Sequence, residues 1–307
     1  MNPFTAALSR SKVIEGKVCA ENTQKHYRSG RKRYMELYEE FFHDVEDVPL
    51  PWPPTLEGLL ALFTVVSEEK DYRFGSLTNI AKAITFYCRE EEIVSPTKTA
   101  KWVAFMAGLK KEMKGDQHPF RADPILIPHL DAMIDSEDMK RRPDYLQSIT
   151  LFTLQFWGFL RINEILALRW LDVIIDEETK TIKIIIRHSK TDATGKGETV
   201  HIFQSPLKCH PLQYLQRWKK ECTTNRLFSM TDETARERLK LFIKQIGAVG
   251  RFSTHSFRKG GAHAAALNGA SDASIKTHGR WRSSIYTMYT SIQMEEAGSM
   301  IATSLNT

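Results

Sequence analysis

Five residues in the second half of the chain combine types that suit attack on a phosphodiester. They are Arg161 in FWGFLRINE, Lys190 in HSKTD, His255 and Arg258 in THSFRKGG, and Tyr289 at the end of GRWRSSIYTMY. Together they supply fixed cations, a proton carrier and a phenol nucleophile. The attack passes through a pentavalent phosphorane whose non-bridging oxygens gain charge, and planar guanidinium forks hold two such oxygens while staying charged. His255 and Arg258 stand one helical turn apart, so both can face the same phosphate. A protonated lysine, Lys190 or its rival Lys196, would give its proton to the departing 5′ oxygen. A tyrosyl phosphate ester retains the bond energy, so resealing needs neither ATP nor metal, and no cofactor is expected. Tyr286, one turn before Tyr289, competes for the nucleophile's position, and Glu164 is an alternative partner for Arg161.

The surrounding sequence predicts how these groups are positioned. Residues 145–160 are apolar nearly all round, which predicts a buried central helix ending just before Arg161. Asn163 is the expected cap of the short helix that follows. Strand-like runs at 172–175, 181–188 and 199–203, the first two joined by DEETK, predict a small antiparallel sheet. The segment before the third run, SKTDATGKGE, holds Lys190 and Lys196. From Pro211 onward the chain reads as helix, and Gly260, Gly261 and the alanines after them allow close packing.

The first third reads as helices. One covers 21–42, and the prolines of VPLPWPP at 48–54 end it. Thr55 caps the next, whose apolar positions are Leu56, Leu59, Leu60, Phe63 and Val66. Others are expected from Ser76 and over 97–113, and the polar stretch KGDQHPFRADP at 114–124 reads as a linker. The expected fold is mainly α with a small antiparallel β-sheet: a helical domain over 1–115, a linker at 116–124, and a mixed α+β domain over 125–307.

A chain of 307 residues is long enough for two cores, and its 42% apolar and 26% charged residues are ordinary for globular protein. The net charge of +6 is modest, but it is unevenly spread. Eight basic residues lie between Arg10 and Arg33, and between Arg251 and Arg282 the only acid is Asp272. Two basic surfaces suit a polyanion gripped from two sides. Cys19, Cys88, Cys209 and Cys222 show no CxxC spacing, so a reduced protein without a zinc site is expected, with Cys88 in a core. No apolar run is long enough for a bilayer span and the N-terminus lacks a signal-peptide core, so an intracellular location is expected.

The ordered set resembles the tyrosine recombinases, the phage-integrase-type site-specific recombinases. Their motif order of Arg, Lys, His-x-x-Arg, His or Trp, then Tyr falls on Arg161, Lys190, His255 with Arg258, Trp281 and Tyr289, and Glu164 matches the acidic support after the first arginine. Trp281 stands where many members have histidine, and its indole N–H would donate to the phosphate. The eight-residue step from Trp281 favours Tyr289 over Tyr286. GFLRINEILAL, THSFRKGGAHAAALNGAS and IKTHGRWRSSIYTMYT are similar in wording to eukaryotic mobile-element members, the DIRS-type retrotransposons and cryptons. TQKHYRSGRKRYMELYEEF and SLTNIAKAITFY look like the family's helical core-binding domain.

The resemblance implies a C-shaped clamp on double-stranded DNA and cleavage through a 3′-phosphotyrosyl intermediate. It also implies a homotetramer on two DNA sites, to which the tail with Ile292, Met294, Met300 and Ile301 would contribute. The protein would lie with the DNA, in the nucleus if the host is eukaryotic and otherwise in the cytoplasm or nucleoid. DNA contacts are expected from Lys25, Arg28, Arg31, Lys32 and Arg33, and from Arg280 and Arg282 near the catalytic set. Type IB topoisomerase activity and a catalytically silent DNA-binding protein on the same fold are the alternatives.

Overall fold

The computed structural model describes residues 2, 4, 5, 7, 9, 10, 21–69, 72–113, 122–187, 196–283 and 287. The chain divides into two compact units, Met1–Phe120 and Arg121–Thr307, each with its own apolar core. Among the described residues no helix is long and apolar enough to cross a membrane.

The first unit is built from α1 (Glu21–Phe42), α2 (Leu56–Glu68), α3 (Phe74–Glu90) and α4 (Ala100–Glu112). Tyr34, Leu37 and Tyr38 of α1 meet Leu59, Phe63, Ile84 and Trp102 in its core, where Cys88 is also fully buried. Burial pushes the Cys88 thiol pKa up. Gly30 lets α1 approach α3, since a Cβ there would lie 2.7 Å from Ala83 Cβ. Thr55 caps α2 by accepting from the Gly58 N–H (3.1 Å). Helix α3 begins at Phe74 rather than at Ser76, and its N-cap, Arg73, makes no side-chain cap bond. Its start is therefore set without the serine signal.

Arg31, expected at the DNA, is committed to this unit instead. Its guanidinium lies 4.2 Å from the Trp52 ring centre and 4.5 Å from that of Tyr87, and it pairs with Glu91 (2.6 Å). Glu91 also accepts from the Trp52 indole (2.7 Å), so cation, rings and carboxylate form one closed set. Arg33 donates to Tyr72 (2.7 Å) and pairs with Glu36 and Glu40. Lys25 and Lys32 are well exposed, and their i,i+4 pairs with Glu21 and Glu36 hold them weakly. Arg28 is exposed.

The second unit surrounds α7 (Tyr145–Trp157), buried along nearly its whole length. Ser148, Thr150 and Thr153 donate to carbonyls four residues back, and Gln155 Nε2 donates to the Thr254 carbonyl (2.7 Å). Helices α5 (Ile127–Asp135), α6 (Glu137–Lys140), α8 (Ile162–Ala167), α9 (Leu212–Glu221), α10 (Asp232–Gln245), α11 (His255–Leu267) and α12 (Asp272–His278) complete it. Phe152 of α7 stacks on Phe257 of α11 at 4.5 Å. The expected sheet is present as β1 (Val173–Asp176), β2 (Thr181–Ile186) and β3 (Glu198–Ile202), antiparallel in that order. Val173 pairs with Ile184, and Ile182 with Ile202, so Ile182, Ile184, Ile186, Val200 and Ile202 share the buried face.

Of the linker expected at 116–124, residues up to 121 lie outside the described residues. Asp123 is bound into the second unit: its N–H donates to the Arg251 carbonyl (2.8 Å), and its carboxylate accepts from the Arg251 N–H (2.7 Å). Ile125 continues this strap by donating to the Ser256 carbonyl (3.0 Å). The close fit requires a glycine on α11, because a Cβ on Gly260 would lie 1.7 Å from the Ile125 carbonyl oxygen. Helix propensity alone would make Gly260→Ala stabilising by up to about 1 kcal/mol. The clash instead predicts a loss of about 2 kcal/mol or more. A urea midpoint at or above wild type would contradict the close approach.

Candidate active site

Two helix ends meet at the candidate site, and they are built alike. Helix α7 stops at Gly158, and Phe159 turns the chain with φ +45°, so that the Leu160 N–H reaches the Gln155 carbonyl (3.1 Å). Helix α12 stops at Gly279, and Arg280 turns the chain with φ +57°. There the Arg280 and Trp281 N–H groups reach the carbonyls of Thr277 and Lys276 (both 3.0 Å). In such endings glycine usually takes the left-handed position. Here a side chain occupies it each time, at a cost on the order of 1 kcal/mol or more. The glycine stands one residue earlier, and at Gly279 the reason is plain: a Cβ would lie 1.7 Å from the Trp281 ring.

The side chains held in the strained positions join the two ends. Arg280 is buried, and its Nη1 donates to the carbonyls of Gly158 (3.2 Å) and His278 (3.1 Å). Its Nη2 donates to the Phe159 carbonyl (3.2 Å) and to Glu164 (2.7 Å). Arg258, 3% exposed, donates to the carbonyls of Phe159 and of Gly279, the latter at 2.6 Å, and its Cζ lies 4.4 Å from the Trp281 ring centre. The Phe159 ring meets His278 edge-on at 4.6 Å. The His278 Nε2 lies 2.8 Å from the Trp157 carbonyl, which can only accept, so Nε2 carries the proton. Burial lowers the pKa of His278, consistent with a neutral, structural ring.

Glu164 connects this lock to Arg161. Its carboxylate accepts from the Arg161 N–H (2.9 Å) and from Arg161 Nη1 (2.6 Å) while pairing with Arg280. Arg161 is thus the N-cap residue of α8, and the capping carboxylate comes from Glu164, two bonds from one side chain; Asn163, the expected cap, lies inside the helix. Burial would raise the pKa of Glu164, but the charge of Arg280 and the bonds from Arg161 outweigh it and hold the carboxyl below its ordinary range.

His255 opens α11 one turn before Arg258. Partial desolvation, then the charges of Arg258 and Arg161, lower its pKa, with Asp232 opposing. Trp281 is buried and in contact with Arg258. Arg161, Glu164, His255, Arg258 and Trp281 therefore share one region of the second unit. Lys190, Tyr289 and Tyr286 lie outside the described residues, and Lys196 and Arg282 are exposed. Arg280, expected at the DNA, is corrected by its burial: its donors are turned inward onto Glu164 and the helix carbonyls. That role was hidden in the sequence. The one available signal was Glu164, an acid inside an apolar segment that demanded more than a single counter-charge.

Glu164→Gln would preserve the side-chain shape but leave Arg280 under-compensated in a buried site, where removing one partner costs about 3–5 kcal/mol. The folded pKa of Glu164 is below its ordinary 4.5, so its contribution is present above that value and is lost as pH falls through the folded value. Chemical denaturation should show wild-type stability falling more steeply than that of the Gln variant below pH 4.5. Parallel acid limbs would contradict the assignment.

The comparisons agree with this architecture. No curated protein sequence matches the chain. In fold, it is similar to the Tn1549 transposon integrase solved with transposon right-end DNA, at 15% identity and a TM-score of 0.62 over 98% of this chain and 99% of that one. It is also similar to a lambda integrase dimer bound to a core site, at 13% identity and a TM-score of 0.62 over 95% and 81%. The XerH recombinase bound to difH substrate has 15% identity and a TM-score of 0.58 over 87% and 76%. The family model described as "Phage integrase family" matches residues 130–296, more than half of the chain. The chain belongs to the phage integrase family, the tyrosine recombinases.

Proposed function

We propose that this recombinase cleaves and rejoins double-stranded DNA with Tyr289 as its nucleophile. The tyrosine oxygen forms a bond to the scissile phosphorus while the bond from phosphorus to the 5′ oxygen breaks. The product is a 3′-phosphotyrosyl ester and a free 5′ hydroxyl, and attack by a 5′ hydroxyl reverses the step. The gathering of Arg161, His255, Arg258 and Trp281 around one pair of locked helix ends carries this reading. Arg161 and Arg258 would stabilise the charge that develops on the non-bridging oxygens. His255, its pKa below the ordinary 6.5, would be neutral near pH 7 and able to accept the phenol proton. Lys190 or Lys196 would protonate the departing 5′ oxygen.

Lys25, Arg28 and Lys32 of the first unit and Arg282 of the second are the proposed backbone contacts. The assembly would be a homotetramer on two DNA sites, and the protein would lie with the DNA in its host. The wording of its motifs aligns it with the DIRS-type and crypton branch of mobile elements. Family membership favours recombination over topoisomerase-type relaxation or silent binding.

Covalent adducts trapped by denaturation on a pool of nicked duplexes should vanish with Tyr289→Phe and persist with Tyr286→Phe. The reverse pattern would transfer the nucleophile to Tyr286, and DNA binding without any adduct would leave silent binding as the better reading. The rate of adduct formation should fall as pH drops through a value below 6.5, where His255 becomes protonated. This limb should be absent in His255→Gln, and a limb centred above 6.5 would point to another base.

A further inference from the structure

The buried ion pairs of the site do not end at Arg280. Its fifth donor, Nε, faces the carboxylate of Glu198, the first residue of β3, with Nε 3.5 Å from Glu198 Oε2. Neither atom has a hydrogen-bond partner among the described residues, so the contact is an ion pair without a hydrogen bond. The four side chains form an alternating row, Arg161–Glu164–Arg280–Glu198, in which only the outer two retain appreciable exposure, 21% and 26%. The row is electrically neutral. Gly197 holds the near end of β3 against the preceding strand: its φ is +73°, and a Cβ there would lie 2.9 Å from the Ile186 carbonyl oxygen.

We propose that Glu198 is a positioning residue for the arginine that faces the scissile phosphate, acting through Arg280 and Glu164 on Arg161. This inference rests on the reading of the site as one that cleaves a phosphodiester. The physical reason is charge sharing. Glu164 serves two arginines, and Arg280 is almost wholly buried with Glu198 as its only other carboxylate among the described residues. Without the charge of Glu198, Arg280 draws more strongly on Glu164. The carboxylate then shifts toward Arg280 and loosens its two bonds to Arg161. Glu198 pairs with Arg280, so its effect on Arg161 travels along the row through Arg280 and Glu164.

The test compares wild type with Glu198→Gln, which removes the charge and keeps the shape, and with Glu198→Asp, which keeps the charge. In the free protein, hydrogen exchange at the backbone N–H of Arg161, which donates to Glu164, is read by NMR. The Gln variant should exchange several-fold faster at Arg161 and the Asp variant should stay nearer to wild type. An unchanged Arg161 signal would overturn the proposal whether or not the protein proves to cleave DNA.

On a duplex recovered from wild-type adducts, single-turnover cleavage by Glu198→Gln should be roughly tenfold slower, with DNA affinity within about twofold of wild type. The defect should shrink when the scissile phosphate is replaced by a methylphosphonate, which lacks the charge that Arg161 stabilises. An undiminished rate on phosphate, or an equal defect on both duplexes, would overturn the proposal. Failure of wild type to form any adduct would instead count against the cleavage reading, and the exchange measurement would still decide the role of Glu198.

Discussion

The candidate site depends on two guanidinium groups placed between the carboxyl ends of two helices. The last carbonyls of a helix have no partner within it, and they carry the negative end of its dipole. At the ends of α7 and α12 these carbonyls face one another, and Arg258 and Arg280 lie between them, donating to Gly158, Phe159, His278 and Gly279. Burying a cation is costly unless most of its donors are engaged. Arginine suits the place because its planar fork presents five donors in fixed directions, where lysine would present one compact charge.

The same contacts account for the strained backbone. Phe159 and Arg280 hold left-handed conformations that glycine would adopt more easily. A glycine at either place would relax the turn but lose what the turn presents: an aromatic face against His278 and Trp281, and a buried cation against Glu164. Glycine is used instead one step earlier, where the Trp281 ring folds back over Gly279. Strain, burial and charge are thus concentrated in a few residues beside Arg161, His255 and Arg258. Groups bound on so many sides have little freedom to reorganise, which is the condition under which fixed charges stabilise a transition state most effectively.

In the first unit the cations divide differently. Arg31 is held between Trp52 and Tyr87 with Glu91, and Arg33 is tied to Tyr72, so both serve the helix packing. Lys25, Arg28 and Lys32 are at the surface. A count of basic residues along α1 therefore overstates the charge available to a phosphate backbone. Where such contacts form, they contribute salt-dependent affinity rather than sequence choice.

Much of the fold was legible in the sequence, because it is encoded by local periodicity. The buried run before Arg161, the alternating isoleucines of the sheet, the Thr55 cap and the fully buried Cys88 each follow from patterns a few residues long. The order of the arginines, histidine, tryptophan and tyrosine likewise pointed to the chemistry, since residue type is itself chemical information. Tertiary structure alone decided which cations face outward. Arg280 and Arg31 look like surface charges in the chain, and the carboxylates that hold them come from 116 and 60 residues away. It also decided that Glu164 rather than Asn163 caps α8, and that Phe159 and Arg280 rather than glycines turn the helix ends. Each of these outcomes rests on electrostatic and steric balance between distant segments, and a one-dimensional pattern carries no record of which carbonyl or carboxylate a side chain will meet.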